Sequence, residues 1–422
     1  MRHTSPFRLT TLCIALACVT GVAHADESRW FKGNTHTHSL WSDGNDFPEM
    51  IATFYKREGY HFLVLSDHNI LSRGEKWMAV RDVEKRRRTL GHSTLKKYLT
   101  AFGEKWVELR GEEGAQQVRL RTLEEIRPKF DEPGKFLFIE GEEITNNFRG
   151  RPVHTNAMNL GELIKPEKGT SLRATMRGCL VAAKEQEKRL GKLILAHLNH
   201  PNFGWGITAE DIAHVVEEQF FEVYNGHPGV RHLGDAKHPG VEKMWDIANT
   251  IRLASLGAEP LFGIASDDSH QYHGAGSLLS QPGRGWIMVR AASLSANNIV
   301  QAMRKGDFYS SSGITLEKLE RNQSKGTLSF KIKAEANEQY TTRIIGTRRG
   351  EHSNPEKVGE VLATFTGTSV SYSLKDNELY FRAAITSDKA HPLPSFTGQK
   401  KAAWIQPVWA QPEKQEKAGQ SP

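Results

Sequence analysis

The sequence predicts an α/β protein, a βα barrel or a relative of one, followed by a small antiparallel β-domain. Three observations carry that expectation. From Trp30 to about residue 313, apolar runs alternate with stretches of helical spacing, as βαβ units with parallel strands do. Several of those runs stop at a histidine or a carboxylate, and in βα barrels the C-terminal strand ends carry the active site. From about Leu316 the pattern changes to simple alternation, as in Leu328-Ser329-Phe330-Lys331-Ile332, which fits antiparallel strands with one buried face.

Residues 1–25 have the pattern of a cleavable export leader. Arg2 and Arg8 bracket the approach to an apolar stretch from Leu9 to Val22, and Ala23-His24-Ala25 closes it. The stretch is too short for a permanent anchor. The expectation is a periplasmic or secreted chain beginning at Asp26, with no stable membrane span. Two of the three cysteines, Cys13 and Cys18, lie in the leader. Cys179 alone cannot form an internal disulfide, so stability must come from burial.

The formal charge of +7 becomes +5 without Arg2 and Arg8, and residues 75–129 hold 14 Lys or Arg against nine Asp or Glu, also +5. The basic excess thus sits in one segment. It falls in a polar insert, residues 71–135, expected to be helical and to lie outside the barrel. Its Lys85-Arg86-Arg87-Arg88 run reads as a solvated helix face or as a positive rim that draws anionic substrates to the site. The segment lacks the interleaved aromatics of a strand-binding platform, which ranks nucleic acid below a small anionic molecule as substrate.

In chain order, the first run ends in His36-Thr37-His38, with Ser42-Asp43-Gly44 on a turn behind it. Residues two apart on an extended strand face one side, so both imidazoles can reach one cation. Asp46-Phe47-Pro48-Glu49 starts a helix whose apolar stripe is Met50, Ile51, Phe54 and Tyr55. Phe62 to Leu65 then leads into Asp67-His68, and Phe136 to Ile139 into Glu140-Gly141-Glu142-Glu143. Crowded carboxylates repel unless cations neutralise them. Val153-His154 follows, then a helix from Ser171 to Leu190 stopped by Gly191. Leu193 to Ala196 runs into His197-Leu198-Asn199-His200-Pro201, and a capped helix starts at Thr208 with Asp211 in the capping box. Phe220 to Tyr224 runs into Asn225-Gly226-His227, and Leu261 to Ala265 into Asp268-Ser269-His270. The tail beyond Gln411, residues 412–422, is expected to be disordered.

His36, His38, Asp43, His68, Glu143, His154, His200, Asp268 and His270 would converge on one face. Imidazole with carboxylate suits zinc, manganese or iron, and nine donors are too many for one ion, so two or three divalent cations are expected. His197 and His227 are expected to support the ligands or touch substrate, and His61, His92, His214, His232 and His238 lack strand-end context.

These residues resemble the PHP superfamily, named for polymerase and histidinol phosphatase. His36-Thr37-His38, Asp43, Asp67-His68, Gly141-Glu142-Glu143, His154, His200-Pro201 and Asp268-Ser269-His270 match its motifs in order. The resemblance spans about residues 30–313 and implies a distorted (β/α)7 barrel over residues 26–313, with the β-domain over 314–411. Gly306-Asp307-Phe308-Tyr309 and Ala403-Trp404-Ile405-Gln406-Pro407 are similar to a secreted branch that includes carbamate-hydrolysing metalloenzymes. The family pattern implies that His36, His38, Glu143 and Asp268 hold one cation. Glu143 would bridge to a second held by His154 and His200, and Asp43, His68 and His270 would hold a third. Glu143, Asp268, His68 and His197 are the catalytic candidates, and Arg149, Arg151, Asn225 and His227 the substrate contacts.

The implied function is a secreted phosphoesterase that attacks a small phosphorylated molecule or nucleotide with a metal-bridging hydroxide. Carboxyl ester, amide or carbamate hydrolysis is the alternative chemistry, since the same centre serves either electrophile. From another class, a metal-stabilised module binding a glycan or envelope partner also fits. Oligomeric state is left open by the sequence.

Overall fold

The computed structural model describes Met1 and residues 28–86, 93–274 and 276–410. Residues 2–25 of the leader, Arg87, Arg88, His92 and the 412–422 tail lie outside the described residues. Among the described residues no helix is long and apolar enough to cross a membrane.

The fold is mixed α/β, built on one 11-stranded mixed sheet. Arg29–Asn34 pairs in parallel with Phe62–Leu65, which pairs in parallel with Leu137–Phe148. All four residues of Phe62–Leu65 are buried, as a strand covered on both faces requires. Gly33 lets the Phe62 ring lie against the first strand, since a Cβ there would stand 2.1 Å from the ring. The connecting helix is Pro48–Arg57, with proline in its first turn and Ile51, Ala52 and Tyr55 buried. Helix Leu172–Leu190 is capped by Ser171 and ends at left-handed Gly191. Thr208 and Asp211 form the expected capping box.

The sequence leads one to expect a distorted (β/α)7 barrel; the described residues form no closed barrel. Leu137–Phe148 turns back as a hairpin with Arg151–Met158, which pairs antiparallel with Leu195–Leu198. Phe220–Asn225 and Phe262–Ser266 form a separate parallel pair. Side chains replace the missing ladders at both seams. Leu198 N–H donates to Glu218 at 2.8 Å and His200 N–H to Glu222 at 2.7 Å. On the far side, Gly263 N–H donates to Gln406 Oε1 at 2.7 Å, while Gln406 Nε2 and Ser310 Oγ donate to Gly263 O. The backbone groups that a closing strand would use are thus already satisfied, and buried polar groups need only one such partner.

The main sheet continues antiparallel through Trp286–Ala291, Phe308–Ser312, Lys400–Trp409, Glu378–Ala390, Tyr340–Arg348 and Glu360–Thr366. A three-stranded sheet of Leu316–Asn322, Thr327–Ile332 and Ser369–Ser373 faces it. Leu328, Phe330 and Ile332 share one core with Ile344, Phe381 and Ile405, the payoff of the alternation read in the sequence.

The insert is more than the helical excursion expected. Helices Val80–Arg86, Thr94–Phe102 and Leu123–Phe130 accompany a small antiparallel sheet of Lys76–Ala79, Leu109–Arg110 and Gln117–Leu120. Val83, Leu95, Tyr98, Val118 and Leu120 pack on Leu40, Trp41 and Phe47, so the insert is docked on the loop that follows His38.

Candidate metal centre

His36 and His38 follow the first strand in extended backbone. Thr37 bridges in parallel to Ser269, and His38 N–H donates to Ser269 O at 2.9 Å. Both imidazoles are fully buried and face the same side, with ring centroids 5.2 Å apart.

Glu143 stands at the centre. Its Oε1 lies 3.4 Å from His36 Nε2, 3.1 Å from His154 Nδ1 and 3.2 Å from His200 Nε2. Its Oε2 lies 3.4 Å from His38 Nε2 and 2.9 Å from His68 Nδ1. Asp268 faces it: Oδ1 is 3.3 Å from His36 Nε2, 3.2 Å from His38 Nε2 and 3.5 Å from His270 Nδ1. Asp268 reaches this position with φ of +47°, a conformation that non-glycine residues seldom adopt outside functional or turn positions. Asp43 lies 3.4 Å from His270 Nε2 and 3.5 Å from His68 Nε2.

All nine expected ligands come together. They fall into four groups whose donor atoms lie within 4.8 Å of one another: His38-Asp43-His68-His270, His36-His38-Glu143, His36-His200-Asp268 and Glu143-His154-His200. Sharing of His36, His38, His200 and Glu143 makes this one cluster. The donor set fits metal on a second ground. His36 Nε2 and both nitrogens of His38 are buried without a hydrogen-bond partner, although carboxylate oxygens stand 3.2 to 3.4 Å from the two Nε2 atoms. Orphaned buried nitrogens aimed at carboxylates are costly unless a cation lies between them.

Carboxylates and imidazoles act strongly on one another here: neighbouring carboxylates raise His36, His200 and His270 against their burial. Burial pushes Glu143 and Asp268 up, but the surrounding imidazoles outweigh it and hold both carboxyls well below the usual range. Burial, with His270 and His68 beside it, pushes His38 down to about 3, so the ring is neutral and keeps a lone pair for a ligand role. Burial lowers His68, but Glu143 and Asp43 raise it to about 11.

A cavity of about 570 Å³ opens onto the cluster. Asp43, His68, Glu143, His154, His200, Asp268 and His270 line it, and so does His227, whose ring centroid is 5.6 Å from that of His270. Lys85 and Arg86 of the insert form a basic edge, and Phe203, Pro228 and Leu278 an apolar wall. The remaining expected residues lie elsewhere. Arg149 is exposed in the hairpin turn between Phe148 and Arg151. Arg151 donates to Gly206 O at 2.7 Å and to Asp211, so neither arginine lines the cavity. His197 is buried on the strand Leu195–Leu198, pushed down to about 4 by burial, with Nε2 unpartnered; it too is outside the lining. Asn225 acts from behind the ligands, donating to Asp268 Oδ2 at 3.1 Å and to Glu222 at 3.0 Å.

Sequence reasoning passed over Glu222, Asn199 and the ligand-holding role of Asp67. Glu222 accepts from Ser266 Oγ at 2.6 Å and faces His36 Nδ1 at 3.0 Å. Asn199 donates to Glu143 Oε1 at 2.8 Å. Asp67 gathers Ser39 N–H, Ser39 Oγ and Ser42 Oγ, closing the turn before Asp43. The signal for Glu222 was present: a carboxylate between Phe221 and Val223 in an otherwise apolar strand must be paired.

No family model matches the chain, and no curated protein matches it. The solved structures similar to it include two that follow. One is a two-domain protein from Bacteroides vulgatus containing a predicted PHP-like metal-dependent phosphoesterase, at 15% identity and a TM-score of 0.40, covering 90% of this chain and 96% of that one. The other, from Bifidobacterium adolescentis, is assigned by inference as a metal-dependent phosphoesterase; it is 12% identical with a TM-score of 0.29, covering 59% of this chain and 92% of its own.

Proposed function

We propose that this protein is a metal-dependent hydrolase of the PHP superfamily, and specifically a phosphoesterase on a small anionic substrate that enters the 570 Å³ cavity. The observation that carries the reading is the shared cluster: four overlapping donor groups at one mouth, with Glu143 in two of them. Two or three divalent cations, manganese, zinc or iron, fit that donor set. Such cations, when bound, polarise the electrophile and lower the pKa of water near neutral pH.

The chain's own residues do the rest. Glu222, pulled down to about 2 by His36 and His200 against its burial, is ionised and can only accept. With a cation bound, His36 would keep its proton on Nδ1 toward Glu222 and offer the Nε2 lone pair on the side of Glu143 and Asp268. His227 is pushed down to about 4 by burial. Its Nδ1 accepts from Gly229 N–H at 2.9 Å, so the neutral ring holds its proton on Nε2 and can donate to a substrate oxygen at the mouth. Lys85 and Arg86 supply positive potential for an anion. Phe203 and Pro228 offer the organic part of the substrate a surface that excludes water.

The site operates outside the cytoplasm in this reading, supported by the leader pattern of residues 1–25. Turnover of a phosphomonoester, a phosphodiester and an aryl ester, each with and without chelator, tests the function. Chelator-sensitive release of phosphate is expected. Turnover of the aryl ester alone would reassign the chemistry to carboxyl or carbamate esters, and no turnover after reloading with manganese, zinc or iron would favour a binding role.

A further inference from the structure

Of the nine expected ligands, Asp43 is the one whose side chain is mostly exposed, at 57%. Buried neighbours fix the others; Asp43 sits on a loop. Before it, Ser42 is tied to Asp67 through its backbone N–H at 3.0 Å and its hydroxyl at 2.6 Å. After it, Asn45 N–H donates to His270 O at 2.9 Å. Between these anchors, the two carbonyls that flank Asp43 converge on a single nitrogen. Arg86 Nη1 donates to Ser42 O at 2.6 Å and to Gly44 O at 3.1 Å. Arg86 ends the insert helix Val80–Arg86 and lines the cavity. The loop has no room to settle inward, since a Cβ on Gly44 would lie 2.4 Å from His38 O.

One guanidinium nitrogen shared by Ser42 O and Gly44 O fixes the Ser42–Asp43 peptide plane and, beyond the residue, the Gly44–Asn45 plane, and pinning the chain on both sides of Asp43 restrains the direction of the side chain between. We propose that Arg86 is the positioning residue for the outermost cation: it aims the Asp43 carboxylate at His68 and His270 and so completes the group His38-Asp43-His68-His270. The insert thereby acquires a role in metal loading, beyond that of a basic rim. Other insert contacts serve the same loop, because Lys76 Nζ donates to Trp41 O and Trp41 Nε1 donates to Arg121 O at 3.1 Å. This inference rests on the reading that the group holds a cation, and its test separates the two.

The full chain, stripped with chelator, is titrated with Mn²⁺ alone, and bound and free ion are counted by electron paramagnetic resonance. Arg86→Ala is expected to weaken one class of Mn²⁺ site by about ten-fold or more, the range seen when a ligand's support is lost, and to leave the tighter class unchanged. Asp43→Asn should weaken the same class, and Arg86→Ala should add nothing in the Asp43→Asn background. Arg86→Lys should recover part of the loss, because an ammonium can still donate to one carbonyl, whereas Arg149→Ala should behave as wild type. If Asp43→Asn weakens one class while Arg86→Ala leaves it unaltered, the positioning role is overturned and the metal reading stands. If Asp43→Asn itself changes nothing, the outer group holds no cation and both fall. Should Arg86→Ala not fold, Arg86→Lys and Arg86→Gln carry the test, and wild-type affinities in both would overturn the inference.

Discussion

Glu222 and His36 face each other at 3.0 Å between Oε1 and Nδ1, with neither side chain exposed to solvent. That pair decides which nitrogen of His36 looks toward Glu143 and Asp268, and it connects the separate Phe220–Asn225 strand to the first strand of the main sheet. The same carboxylate takes His200 N–H across the unclosed seam, so one residue orients a ligand and mends the fold.

Glu222→Gln removes the ionised acceptor and allows the opposite imidazole tautomer. The expected outcome is a 10 to 100-fold loss of metal affinity with little change in the circular dichroism spectrum. Equilibrium dialysis against Zn²⁺ at fixed pH measures it.

The seam at Gly263 has its own prediction. Gln406 is fully buried and its amide serves both Gly263 N–H and Gly263 O. Gln406→Leu leaves the N–H without its acceptor, while Ser310 still serves the carbonyl. A loss of about 1–3 kcal/mol is expected for one orphaned buried donor, read as a lower urea midpoint at constant slope.

Glu142 supplies a pH dependence. Burial pushes its carboxyl up to about 7, only partly offset by the Ile164 N–H it accepts, and Oε2 has no partner. In the range from about 4.5 to 7 the folded state holds a proton that the unfolded state has lost, so stability falls as pH rises through that window. Stability from this group is full below the unfolded value and gone above about 7. Glu142→Gln should flatten that slope and raise stability at pH 8 by up to about 3 kcal/mol, checked by urea melts at pH 5 and pH 8.

The convergence of the nine candidate donors was readable because its rule is local. His36-Thr37-His38 needs only a two-residue period, and His68, Glu143, His200 and Asp268 needed only apolar runs that stop. Helix ends were readable for the same reason, as Thr208 with Asp211 and Gly191 show. The closed barrel failed because ring closure depends on pairing between distant segments. Here Glu218, Glu222 and Gln406 took over backbone groups that a ladder would have used, and no pattern within a window reveals that. Arg151 was unreadable in the same sense: its partner Asp211 lies 60 positions away. The insert's small sheet was hidden by the shortness of strands such as the four-residue Gln117–Leu120, where only Val118 and Leu120 are buried.

The most direct test is the metal content of Glu143→Ala against wild type, purified side by side and assayed for chelator-sensitive phosphate release. Joint loss of bound metal and of activity, at least about a thousand-fold in rate for a group serving the reacting centre, is the predicted result. Wild-type metal content in Glu143→Ala would contradict a cluster organised around that carboxylate.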